Sequence, residues 1–282
     1  MVSVAGPETP EEAVADWPPV PSRAALAWRD LAQGFIRFWM WWSLAIQDIT
    51  LRYRGSMLGP FWLTLSMLIL VVGMGTIYSH LLRTEARTYM PYLAVGLIVW
   101  QYIASVTMEA CQTFLVAESV IQQVPIPFSI HAYRVVCRNF IVLAHTLVIV
   151  PIVLVFFAIP VGWSLVELVP AAAMLAINGI WVCLLLGMLT ARFRDVAPIV
   201  GSAVQMIFFL TPVIWPVDAL GIHRWMGEFN PFFTVMDVVR APLLGVPPEP
   251  YSWPVLLGFT AIGSAVTFAL FARFRHRIAY WV

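Results

Sequence analysis

The chain has 282 residues, of which 61% are hydrophobic and 11% charged, with a formal net charge of +1 and a mean hydropathy of +0.85. Such a chain cannot cover its own surface in water, which excludes an ordinary soluble domain. All sixteen basic residues are Arg, and without Lys there is no Walker A phosphate loop, which excludes ATP hydrolysis by that route.

Residues 1–22 are rich in Pro, Glu and Ala and read as a disordered tail ahead of a membrane domain over 23–282. Over 24–44, Trp28, Leu31, Phe35, Trp39 and Trp42 recur at three- and four-residue spacing, with Arg29, Gln33 and Arg37 off the stripe. This predicts an amphipathic helix lying in the membrane interface; packing on a soluble partner is the blander alternative. The segment 48–62 then carries Arg52 and Arg54 directly into an apolar run.

Six apolar runs follow, over 57–80, 91–114, 140–159, 165–189, 196–215 and 253–271, each long enough to cross about 30 Å of hydrocarbon as a helix. Strands are disfavoured, since no alternating polar pattern suggests a barrel. The fold class is therefore an all-α membrane protein with six transmembrane helices. Segments on one side hold twelve Arg and those on the other hold Arg83, Arg87, Arg224 and Arg240, which places both termini in the cytoplasm by the positive-inside rule. The first apolar run lies too far from the N-terminus to be a signal peptide, so the chain is expected to remain multi-pass in the cytoplasmic (inner) membrane.

Two connections stand out. Residues 118–128 are short, moderately apolar and stiffened by Pro125 and Pro127, and read either as an ordinary turn or as a compact surface for a cytoplasmic protein. Residues 216–252 are too apolar for a free loop and too interrupted to span, which predicts short re-entrant helices at the outer end between spans five and six, broken near Asn230-Pro231.

No catalytic or metal-ligating pattern stands out. His-Glu-x-x-His, a Gly-x-Ser-x-Gly elbow and clustered carboxylates are all missing. Cys111, Cys137 and Cys183 have no metal-ligand spacing and read as packed thiols. Glu109, His145, Asn178 and Gln205 are polar groups within spans, best read as helix-to-helix hydrogen-bonding residues. Thirteen Trp, eight Tyr and eighteen Phe mostly serve as interface belts and packing. Aromatic faces also stack on sugars, however, and Trp62, Tyr78, Trp100, Tyr102, Phe208, Phe209 and Trp215 lie in spans that could line a path for a polar chain.

The ordered set Asp48-x-x-x-Arg52-Tyr53-Arg54-x-Ser56-x-Leu58-Gly59-Pro60-x-Trp62, residues 91–100 ending in Trp100, Arg192-Phe-Arg-Asp195, Pro212-Val-Ile-Trp-Pro216 and Asn230-Pro231 resembles the membrane subunit of ABC exporters of the type-2 permease family, in the branch exporting O-antigen and other lipid-linked polysaccharide. The resemblance runs from Asp48 to the C-terminus. A long N-terminal tail and Met67, where many members have Pro, are departures. It implies a homodimer with two copies of a separate ABC ATPase that carries ATP and Mg, so this chain is not itself an enzyme and holds no cofactor or metal. It further implies that Ile121, Val124, Pro125, Ile126, Pro127 and Phe128 dock on the ATPase. Arg52 and Arg54 would meet the diphosphate of an undecaprenyl-linked glycan, through the planar fork that suits phosphate oxygens; plain topology signalling is the competing reading. The alternatives are a type-2 permease for a teichoic-acid precursor, drug or lipid, and a non-motor membrane protein of glycan assembly.

Overall fold

The computed structural model describes residues 21–59, 61–160, 162–217, 225 and 230–282, and among these every regular element is helical. All but the last two residues of the expected tail lie outside them.

Helix α1 (Arg23–Ile36) starts at Ser22, whose hydroxyl accepts a hydrogen bond from the Ala25 N–H at 3.1 Å, satisfying one of the donors a helix start leaves unpaired. After a break at Arg37 the chain continues as α2 (Phe38–Arg52). The aromatic stripe points away from the protein: Trp28, Phe35, Trp39 and Trp42 are all exposed, while Ala27, Asp30 and Gly34 are buried. Small and acidic residues inside with large aromatics outside is the reverse of a helix on a soluble core, and it suits a helix whose outer face meets lipid. Gly34 is needed for the approach, because a Cβ there would sit 2.1 Å from Ser129 Oγ.

Among the described residues, five segments are long and apolar enough to cross a membrane: Phe61–Leu81, Ala86–Ala110, Ser129–Phe156, Trp163–Arg192 and Ser252–Trp281. They comprise α3 (Phe61–Leu81), α4 (Ala86–Ala110), α6 and α7 (Ser129–Leu147 and Ile149–Phe156), a 3-10 turn (Trp163–Glu167) leading into α8 (Leu168–Arg192), and α11 (Ser252–Phe274), followed by the terminal α12 (Ile278–Trp281). Helix α4 is central, packed against α3, α6, α7, α8 and two shorter helices, α9 (Val196–Leu210) and α10 (Pro231–Leu243). A six-residue helix, α5 (Glu118–Gln123), connects α4 to α6.

The expected span over 196–215 differs in form. Helix α9 has 15 residues, about 22 Å at 1.5 Å per residue, and stops at Leu210. Pro212 disfavours helical geometry at the residue before it, and Thr211 is extended with ψ 138°. The third run also differs at its start, since helix begins at Ser129, well before 140, and so takes Arg134 and Arg138 into the bundle. Between residues 216 and 252, α10 is a short buried helix, capped by the Asn230 side chain, which accepts from Phe232 N at 2.9 Å, with Pro231 in its first turn. The earlier part of that connection lies mostly outside the described residues.

Candidate functional site

The Arg-rich end of the bundle contains a continuous ion cluster. Helix α2 supplies Asp48 and Arg52, α4 supplies Glu109, and α6 supplies Arg134, Arg138 and Asn139 on successive turns of one face. Asp48 accepts from both Arg134 and Arg138. Glu109 accepts from Arg138 Nη2 at 2.7 Å, Asn139 Nδ2 at 2.6 Å and Arg52 Nη2 at 3.0 Å. Burial alone would raise the Asp48 pKa, but the Arg134 and Arg138 guanidiniums outweigh it and hold the carboxyl below its ordinary value. A cavity of about 300 Å³ opens beside the cluster, lined by Arg52, Arg134, Arg138 and His131 among others.

Of the two arginines expected to greet a substrate, Arg52 thus joins the cluster with half its side chain exposed. Arg54 lies in the following turn, exposed and without a side-chain polar partner among the described residues. The seven aromatics divide. Trp100 and Tyr102 are buried inside the subunit, Trp100 against Phe208 at 5.5 Å and Tyr102 donating to the Leu175 carbonyl at 3.2 Å. Trp62 and Phe209 are exposed, on α3 and α9, while Tyr78 and Trp215 are half-buried.

At the same end, residues 118–128 present Val124 and Pro125 outward beside a hollow of about 330 Å³ that includes Ile121, Ile126, Pro127 and Phe128. The segment is anchored by a residue that sequence reasoning missed. Asp30 of α1, fully buried, accepts from the Ser129 N–H at 3.0 Å and the Phe128 N–H at 3.2 Å, and it pairs with Arg275 Nε at 2.7 Å. A carboxylate from another helix therefore caps the N-terminus of α6, where both unpaired N–H groups and the helix dipole favour an anion. The Ser129 hydroxyl returns a bond to the Asp30 carbonyl at 2.8 Å. The available signal was the Ala27, Asp30, Gly34 spacing opposite the aromatic stripe.

The opposite end is held differently. Residues 211–215 are non-helical, and their carbonyls are taken up by side chains of α4 and α10. Tyr89 donates to Ile214 O at 2.7 Å, and Tyr92 to Pro212 O and Trp215 O at 3.0 Å each. Buried Arg240 donates to Pro212 O at 3.0 Å and stacks on the Tyr92 ring at 3.9 Å. Irregular backbone among apolar spans needs such partners. Gly96 makes room, since a Cβ there would lie 2.3 Å from Arg240 Nη2.

Of the four polar residues in spans, Asn178 bonds across helices to Thr260 at 2.8 Å and Glu109 forms the cluster above. His145 bonds to the Ile141 carbonyl of its own helix, and Gln205 is exposed on α9.

Long apolar helices, a central α4 and polar groups gathered at the ends define a multi-pass helical membrane protein. More particularly, the chain belongs to the ABC-2 type transporter family, whose model matches residues 40–244. It is similar to an O-antigen export system permease protein of Klebsiella pneumoniae, 23% identical over 83% of this chain and 91% of the relative. An O-antigen export system permease protein of Myxococcus xanthus is 24% identical over 71% of this chain and 78% of its own length.

Proposed function

We propose that this chain is the transmembrane subunit of an ATP-driven exporter that moves an O-antigen-like, undecaprenyl diphosphate-linked polysaccharide across the cytoplasmic membrane. It works as a homodimer with two copies of a separate ABC ATPase that bind ATP and Mg. The observation that carries this reading is the combination of ABC-2 family membership with O-antigen export relatives matched along most of both chains. The Arg-rich end, with both termini, faces the cytoplasm. There the outward-facing Val124 and Pro125 dock on the ATPase, and Asp30 of α1 links the motion to the start of α6 and to the turn after α11, because its carboxylate bonds to the Phe128 and Ser129 N–H groups and to Arg275.

Arg52 and Arg54 receive the diphosphate, and the exposed Trp62 and Phe209 contribute to a glycan path at the seam between two subunits. Helix α9 with residues 211–215 makes the sixth crossing, and α10 belongs to a re-entrant element at the outer end. Co-reconstitution with a cognate ABC ATPase tests the proposal: labelled lipid-linked glycan should cross the bilayer only with hydrolysable ATP. Arg52→Lys with Arg54→Lys should lower export and substrate-stimulated ATPase several-fold, while unchanged rates would leave the two residues with a topological role alone. Robust catalysis by the purified chain without an ATPase would sink the exporter reading.

A further inference from the structure

A further hollow, of about 340 Å³, lies between α8, α11 and α12 and shares no helix with the ion cluster. Its walls are hydrocarbon: Leu185, Met188 and Leu189 of α8 line it together with Leu270 and Phe274 of α11. From Leu185 to Arg192 the helix axis advances about 10 Å at 1.5 Å per residue, so the hollow runs along the helix pair to its Arg-rich end.

Two arginines close that end. Arg192 stands in the last turn of α8, its guanidinium 5.3 Å from the Trp281 ring of α12 and 5.4 Å from the Phe193 ring. Arg277, in the 3-10 turn after α11, lies 6.0 Å from the Phe274 ring. Both are exposed, and among the described residues neither has a hydrogen-bond or ion-pair acceptor, nor does a carboxylate line the hollow. Ring contacts engage a guanidinium through its face, which leaves the N–H donors in its plane for an acceptor.

The walls and the arginines call for different ligands when taken alone. A soluble anion would satisfy the guanidiniums but leave the apolar walls wet, whereas a neutral hydrocarbon would fill the walls but leave two charges unmatched. An amphiphile with an anionic headgroup above hydrocarbon chains answers both, and basic pockets between membrane helices suit such headgroups. Long Arg side chains at helix ends reach the headgroup level while their stems stay among apolar groups.

We infer that the hollow between α8, α11 and α12 is a site for an anionic diacyl phospholipid of the bilayer, with its phosphate on Arg192 and Arg277 and part of an acyl chain beside Leu185 and Leu189. The site is separate from Arg52 and does not depend on what the chain exports. It also reaches α5, because Val282, next to Trp281, accepts from Gln122 Nε2 of that helix at 3.3 Å. A bound lipid therefore fastens α12, and through it α5, to α8.

Native mass spectrometry of the full chain in mild detergent, titrated with dioleoyl phosphatidylglycerol or dioleoyl phosphatidylcholine, tests this. Phosphatidylglycerol should be retained in preference to phosphatidylcholine of the same chains, and soluble glycerophosphate, a headgroup without chains, should not displace it. Arg192→Gln and Arg277→Gln should each weaken retention about fivefold, the factor that corresponds to ~1 kcal/mol per arginine near anionic headgroups. Arg194→Gln removes an equal charge from an exposed position that does not line the hollow and should leave retention unchanged. Hydrogen exchange over residues 118–123 and 278–282 should slow with phosphatidylglycerol in the native chain and not in Arg192→Gln.

Equal retention of the two phospholipids, or equal weakening by Arg194→Gln, overturns the inference. Unchanged exchange over residues 278–282 would place the lipid away from α12 and overturn it as well. So would displacement of phosphatidylglycerol by farnesyl diphosphate, since the site would then belong to isoprenoid diphosphates.

Discussion

The two ends of the bundle handle inward-lying arginines in opposite ways. At the Arg-rich end, Arg134 and Arg138 are matched by carboxylates from other helices, so charge meets charge. At the other end, Arg240 is matched by backbone carbonyls of residues 212 and 213 and by the face of Tyr92. The first arrangement joins α2, α4 and α6 through flexible side chains that can exchange partners, which suits a place where a charged ligand or a moving helix must be accommodated. The second fixes a non-helical backbone whose carbonyls point where the chain path puts them, so it has one satisfactory geometry. Ion pairs here permit rearrangement, whereas the carbonyl clamp defines a shape.

The largest effect should come from breaking the charge balance. Asp48→Ala leaves two guanidiniums without their main counter-charge, and removing one partner of a buried pair costs about 3–5 kcal/mol, with the upper part of that range reduced here by partial exposure. Unfolding of the purified protein in mixed micelles should shift to much lower denaturant, with the loss confined to contacts among α2, α4 and α6. At the clamp, Arg240→Lys keeps the charge but replaces a planar fork with a point donor. It should cost about 1.5–3 kcal/mol, the range for hydrogen bonds to a charged group. Hydrogen exchange should then rise over residues 211–215 and stay unchanged at the Arg-rich end. If Arg240→Lys left stability and exchange over residues 211–215 unchanged, the clamp would be no more geometry-bound than the cluster.

Composition and apolar run length made the helical membrane fold legible, because burial in lipid demands long uninterrupted hydrophobicity. Helix ends were less legible where tertiary partners decide them. Helix α6 begins at Ser129 because Asp30, ninety-nine positions away, caps it, and nothing near Ser129 announces that carboxylate. Helix α9 ends early because of Pro212, which is local, but the stability of the irregular stretch after it depends on Tyr89, Tyr92 and Arg240 from elsewhere in the chain. Arg52 was visible as part of a motif, while its partner Glu109 was visible only as an isolated acid in a span. Pairing the two requires knowing that α2 and α4 approach one another at this end.

Titration offers the finest distinction between the ends. With Arg134 and Arg138 beside it, Asp48 has a folded-state pKa below the ordinary value of 3.8. Its ionised form is thus favoured by folding, so its contribution is fully present above about pH 4 and is lost as pH falls through the folded value, where the folded state must take up the proton. The bonds of the clamp run from a guanidinium and two phenols to neutral carbonyls, so the clamp should be indifferent to the same change. Acidification from neutral to about pH 3 should therefore loosen contacts between α2 and α6 before residues 211–215 respond, a small effect readable by hydrogen exchange. Asp48→Asn should remove this site's share of the acid response while lowering stability at neutral pH. An acid response that began at residues 211–215, or that Asp48→Asn left unaltered, would place the sensitivity outside the ion cluster.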